Sequence, residues 1–203
     1  MRKGKIICVV GAPRTGKSFL VKKLAEYYNA KAFYEGEDAD FPDRIKEDIA
    51  KNKRPLERIL WFRNRLANNY RDALEIKNRG GIVISDIAYF ALNFYIDILT
   101  KDPFERDVLR ELLRFDEKIF GMPDKIIHLV SSEQKIKDFI KIGGREFDVG
   151  ENYFNEQVLP LQNALREYLR RLEKTGIVVE INRADLDFEN KNDFNKIIRR
   201  IEQ

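Results

Sequence analysis

Gly11-Ala12-Pro13-Arg14-Thr15-Gly16-Lys17-Ser18 constrains the fold of this chain more than any other stretch. The apolar run Lys5-Ile6-Ile7-Cys8-Val9-Val10 precedes it, and Phe19-Leu20-Val21-Lys22-Lys23-Leu24-Ala25, with helical periodicity, follows it. A buried strand, a loop bracketed by two glycines, then Lys-Ser opening a helix is the setting in which a backbone cradles phosphate. Gly11 and Gly16 let the chain turn tightly and approach an anion without a Cβ in the way. The loop N–H groups and the helix N-terminus supply donors and a positive dipole end. Lys17 adds a full charge for the β- and γ-phosphates, and the Ser18 hydroxyl is a ligand for Mg²⁺. Ala12, Pro13, Arg14, Thr15 and Phe19 complete the expected binding stretch.

The 203 residues contain no Gly/Pro/Ser-rich linker and no internal repeat, so one domain spanning 1–203 is expected. A hydrophobic content of 43% suffices for a sizeable core. A charged content of 35% with few Met and Cys leans toward a thermophile's surface of ion pairs. The net charge of +4 is spread among Asp and Glu along helical segments, which marks solvated faces. A nucleic-acid partner does not follow from it, and a phosphate-rich ligand suits it equally. Residues 6–10 are too few for a signal peptide, and no apolar run approaches the ~20 residues of a membrane span, so a cytoplasmic protein without membrane contact is expected. The single Cys8 excludes an internal disulfide and reads as a core residue. The lone His128, in the strand-like run 125–130, reads as a core or strand-end residue, since no second His or Cys joins it.

Strands are expected at 5–10, 30–34, 82–84, 125–130 and 177–181, with helices between them. The helices include one at 17–28, a long one from Pro55 to about Arg79 stopped by Gly80-Gly81, and segments at 88–100, 103–119, 132–141, 151–174 and 189–202. Short apolar strands alternating with helices imply an α/β fold: an open five-stranded parallel sheet with helices on both faces. Ligands of such sheets bind beyond the carboxyl ends of the strands.

The candidate chemistry therefore lies just after each strand. Asp86 follows the third and is placed to hold Mg²⁺ with Ser18; a helix N-cap is its alternative. Glu35, Glu37, Asp38 and Asp40 crowd the loop after the second, and Glu35, nearest the strand, is best fixed to accept or position the proton of an attacking hydroxyl. On the long helix Leu56, Leu60, Arg63, Ala67, Tyr70 and Leu74 form a stripe whose odd member, Arg63, needs an anionic partner; phosphate or Asp86 would serve. Lys141, Gly143-Gly144 and Arg145 end a basic segment on a glycine hinge, suited to a lid at about 138–150 that brings charge to phosphates.

This order of parts resembles the deoxynucleoside kinase and thymidylate kinase branch of the P-loop kinases over nearly the whole chain. The resemblance implies the P-loop NTPase fold and ATP- and Mg²⁺-dependent phosphoryl transfer to a nucleoside or nucleoside monophosphate. It implies Glu35, Lys17, Arg63 and Arg145 as catalytic groups and leaves room for a homodimer. Lys141 and Arg145 would meet phosphate, and Ala184 and Asp185, after the last strand, would hold the adenine. The chain departs from the family at three places. Gly36 stands where a proline follows the glutamate, Asp86-Ile87-Ala88 lacks the arginine of the third-strand motif, and Gly143-Gly144-Arg145 has one lid arginine fewer. A nucleotide-binding regulator without kinase activity, or a P-loop ATPase, stays open on these residues.

Overall fold

In the computed structural model, residues 3–36, 40–86, 88–143, 151–183 and 186–203 are described. Five strands form one sheet: β1 (Lys5–Gly11), β2 (Lys31–Phe33), β3 (Ile82–Ser85), β4 (Lys125–Val130) and β5 (Val178–Asn182). Their spatial order is β2-β3-β1-β4-β5, and every pairing is parallel. The expected five-stranded parallel sheet is therefore the fold observed. β1 lies at its centre, and the chain crosses to β2 and β3 on one side and to β4 and β5 on the other. This is the switch point at which such sheets bind ligands.

Side chains alternate across β1 and divide the core in two. Ile6, Cys8 and Val10 pack with α3 (Pro55–Asn78), α4 (Leu92–Leu99), α5 (Pro103–Phe120) and α8 (Leu159–Leu172). Ile7 and Val9 pack with α1 (Lys17–Tyr28) and α9 (Lys191–Glu202). The other described helical elements include α2 (Asp43–Ala50), 3₁₀ turns (Tyr89–Ala91 and Glu173–Thr175), α6 (Glu133–Gly143), and the short α7 (Glu151–Tyr153), which leads through a π turn (Phe154–Val158) into α8. No described helix is long and apolar enough to cross a membrane.

The expected boundaries hold to within a few residues. The segment expected as one helix over 151–174 is instead interrupted by the π turn, which brings Gln157 to the interior at 7% exposure. Cys8 is fully buried against the Tyr70 hydroxyl, and burial pushes its thiol up to about 12, so it is a core residue. His128 is buried inside β4.

Candidate active site

β1 ends at Gly11, whose φ of +153° and close packing both exclude a side chain: a Cβ there would stand 2.6 Å from the Leu129 carbonyl oxygen of the neighbouring strand. The loop then closes on itself. Thr15 Oγ1 and Lys17 Nζ both donate to the Ala12 carbonyl, at 2.8 and 3.0 Å. Gly16, at φ +89°, is the residue before α1, so the first amides of that helix face the loop. The loop from Gly11 to Ser18 thus has the strand before it and the helix after it that its sequence requires.

Asp86 sits one residue beyond β3, 4% exposed, with its backbone N–H donating to the Phe33 carbonyl of β2. Both oxygens of its carboxylate are engaged: Ser18 Oγ donates to Oδ2 at 2.8 Å and the Glu35 N–H donates to Oδ1 at 2.6 Å. The N-cap residue of the following turn is Ala88. Sheet order explains the meeting. β3 lies between β1 and β2, so the first residues past all three strands converge at one edge.

Glu35 is tethered a second time, because Arg65 Nε on α3 donates to its carbonyl at 3.2 Å. Gly36 has φ +141°, and a Cβ there would stand 2.8 Å from Arg65 Nη2. Proline, whose φ is held near −65°, cannot take this conformation. The departure from the family's Glu-Pro pair is therefore linked to the approach of Arg65, which also pairs with Asp40 at 3.2 Å and stacks over Trp61 at 5.0 Å. Asn69 Nδ2 reaches the Tyr34 carbonyl at 3.3 Å. One face of α3, at spacing i, i+4, i+7 and i+11, thus carries Arg58, Phe62, Arg65 and Asn69 toward the site.

Arg63 is not on that face, and its expected orientation is corrected here. Its Nε and Nη2 donate to both oxygens of Asp116 on α5, each at 2.6 Å, and Tyr89 donates its hydroxyl to the same fully buried carboxylate. The Asp116 hydrogen bonds raise the Arg63 pKa against the opposing effect of burial. This buried pair ties α3 to α5 and gives Arg63 Asp116, not Asp86, as its carboxylate partner; removing one partner of such a pair strands the other charge.

The loop opens into a cavity of about 480 Å³. Arg14, Lys17, Ser18, Phe19, Glu35 and Asp86 line one part of it. The rest is mainly apolar, with Ile59 and Phe62 from α3, Leu92 and Tyr95 from α4, and Leu161 and Leu165 from α8. From α6, Phe139 and Ile142 face this cavity, and Lys141 is exposed beside them. Gly144 and Arg145, with the rest of the expected lid beyond Gly143, lie outside the described residues, as do Glu37, Asp38, Ala184 and Asp185. After β5, the residues that return over the loop are Arg183 and Phe188. A Cβ at Gly16 would stand 3.4 Å from the Phe188 ring and 3.5 Å from Arg183 Nε, and the guanidinium lies 4.3 Å from the centre of that ring. Burial pulls the Arg183 pKa down, with Asp187 acting the other way.

The central parallel sheet and the glycine-bracketed loop at its switch point define a P-loop nucleotide-binding protein. A family model described as an AAA domain matches residues 6–138, and the chain belongs to that family. No curated protein matches the sequence. Solved structures of a deoxyadenosine kinase from M. mycoides share the fold at 15% sequence identity. The form with the products dCMP and a flexible dCDP bound has a TM-score of 0.72 and covers 97% of this chain and 98% of its own. The form with dATP has a TM-score of 0.69 over 98% and 100% of the two chains, and the form with dCTP 0.72 over 97% and 98%. The chain therefore shares the fold of this deoxyadenosine kinase.

Proposed function

We propose that the chain is a kinase that uses ATP and Mg²⁺ to phosphorylate a nucleoside or nucleoside monophosphate. The observation that carries this reading is the double character of the cavity. Lys17, Ser18, Glu35 and Asp86 line one part, and an apolar pocket between α3, α4 and α8 continues from it. Hydrolysis of ATP alone has no use for the second part. In this reading Lys17 and the loop amides hold the ATP phosphates. The hydroxyl of Ser18 and the carboxylate of Asp86, 2.8 Å apart, form a hard oxygen pair of the kind Mg²⁺ takes while keeping water and phosphate as its other ligands. When bound, the ion neutralises charge on the phosphate oxygens. Glu35, held by its backbone beside Asp86, accepts or orients the proton of the acceptor hydroxyl. Arg145 would bring charge from the lid, and Phe139, Arg183 and Phe188 would hold the adenine. Phosphoryl transfer needs little covalent participation by the protein, so positioning and electrostatics carry the rate. The homodimer implied by the resemblance belongs to the same proposal, and sedimentation equilibrium reads it.

The test is a screen of nucleosides and nucleoside monophosphates with ATP and Mg²⁺, following ADP and the phosphorylated acceptor. The kinase reading expects acceptor-dependent ADP formation that disappears in Lys17→Ala with the fold intact by circular dichroism. ADP formed equally with and without any acceptor, or full turnover in folded Lys17→Ala, refutes it.

A further inference from the structure

α5 turns one side to the core and leaves an apolar stripe open on the other. Leu109, Leu113, Asp116 and Phe120 are its buried side. Phe104, Val108, Phe115 and Ile119, with Met122 just past the helix end, are exposed. Their spacing, i, i+4, i+11, i+15 and i+18, keeps them on one face, and half-buried Leu112 fills the gap in the middle. Phe104 is 77% exposed and Phe115 58%. Five of the nine large hydrophobic side chains exposed among the described residues lie here, so this is a patch and not scatter. The stripe leaves about 500 Å² of apolar surface in water, toward the upper end of what a monomer exposes.

The charges beside the stripe say what covers it. Along one rim stand Asp107, Glu111, Arg114 and Lys118, at i, i+4, i+7 and i+11, all exposed. The N-terminal half of the rim is acidic and the C-terminal half basic. Glu111 and Arg114 also pair along the helix, an exposed contact of small worth. The other charges of α5 face elsewhere: Arg106, Arg110 and Glu117 turn back to Thr100, Asp97 and Asn93, and Glu105 stands alone on the far rim. An acid-acid-base-base rim is complementary to itself read backwards. When two such helices pack antiparallel with Leu112 at the two-fold axis, Asp107 meets Lys118 of the second copy and Glu111 meets its Arg114, each pair occurring twice. Phe104 then lies against Met122 of the second copy, and Val108 between its Phe115 and Ile119. Parallel packing would set like charges together.

We propose that the outer face of α5 is the seat of a second copy of this chain, packed antiparallel about a two-fold axis. Doubled by the axis, the stripe and its charged rim bury roughly 1,200 Å², which reaches the range of specific interfaces. A membrane surface suits the rim less well, because Asp107 and Glu111 would face anionic headgroups where interfacial helices carry Lys and Arg. The homodimer thereby gains a surface and a direction. Both depend on α5 and not on phosphoryl transfer, so failure here leaves the kinase reading standing, and a chain that phosphorylates nothing can still pass the test.

The test is sedimentation equilibrium on the full chain, with circular dichroism to confirm the fold of each variant. Wild type is expected to dimerise with a Kd of roughly micromolar or tighter. Phe115→Glu, which puts a charge in the stripe, is expected to be monomeric. Two surface variants serve if it does not fold: Asp107→Lys with Glu111→Lys makes the rim wholly basic, and Arg114→Glu with Lys118→Glu makes it wholly acidic. Each alone is expected to self-associate at least roughly tenfold more weakly, the scale of four exposed ion pairs lost. Mixed one to one, the two are expected to form a heterodimer, because every facing pair is then opposite in sign. A monomeric wild type, self-association unmoved by these variants, or a mixture that stays monomeric overturns the proposal. A monomer that instead binds phosphatidylserine vesicles, with binding lost in Phe115→Glu, identifies a membrane face and overturns it too.

Discussion

His128 is the chain's only histidine, and it should make the protein lose stability between pH 7 and pH 5. It lies on β4, 2% exposed, paired in register with Val10 and Glu180. Its Nδ1 is 3.7 Å from Glu180 Oε2, too long for a hydrogen bond. Burial, and secondarily the charge of Arg166, pull its pKa from 6.5 down to about 4, so the ring is neutral in the folded protein. The unfolded chain then binds more protons than the folded one between those two values, and stability falls as pH falls through that window. With an unfolded pKa near 6.5 and a folded one near 4, the loss between pH 7 and pH 5 integrates to about 2 kcal/mol. For a chain of 203 residues that corresponds to a drop of about 4–8 °C in Tm. Urea unfolding followed by circular dichroism at pH 7, 6 and 5 measures it, with His128→Gln as the variant that cannot titrate. The slope should be present in the wild type and absent in the variant. A wild type as flat as His128→Gln, or the same slope in both, refutes the reasoning. The neighbouring Leu129 carbonyl is the atom against which Gly11 packs, so the titrating residue adjoins the support of the loop.

Asp86→Asn should keep the fold, because an amide can still accept from the Glu35 N–H and share a hydrogen with Ser18, yet raise the Mg²⁺ concentration for half-maximal activity roughly 10- to 100-fold. A magnesium titration of initial rates checks this, and an unchanged midpoint removes Asp86 from the metal site. Glu35→Gln should lower kcat by roughly 10²-fold with ATP affinity near wild type, the usual scale for a lost general base. A variant as fast as wild type moves that role to another residue.

What the sequence made legible was whatever depends on short chain distances. The loop from Gly11 to Ser18 lies wholly within eight consecutive residues, and Asp86 and Glu35 are each fixed by following a recognisable apolar strand. Their meeting follows once the sheet is parallel, because parallel strands end on the same edge. The faces of α3 were not legible. That helix carries Arg58, Arg63 and Arg65, and periodicity gives the stripes without saying what each one meets. Arg63 falls on the most apolar stripe, where an anionic partner, phosphate or Asp86, is expected; its partner is Asp116, 53 residues away. Arg58 is buried against Gln157, 99 residues away in a π turn that no local pattern announces. A signal was present in the spacing of Arg58, Phe62, Arg65 and Asn69, since three polar residues and one aromatic at i, i+4, i+7 and i+11 form a single helical face.

The departures from the family pattern have different structural standing. Gly36 is coupled to Arg65: the glycine takes a backbone conformation proline cannot, and Arg65 occupies the space a Cβ would fill. Arg65 in turn holds the carbonyl of Glu35 while Asp86 holds its N–H. The glutamate is thus clamped through its backbone from two sides. Asp86 is engaged through both oxygens, so the residue that positions Glu35 is also the one that touches Ser18 of the loop. A shift of either neighbour is transmitted to the other through one rigid carboxylate. That coupling gives a physical reason for the Ser18 side and the Glu35 side of the cavity to be set together in this chain.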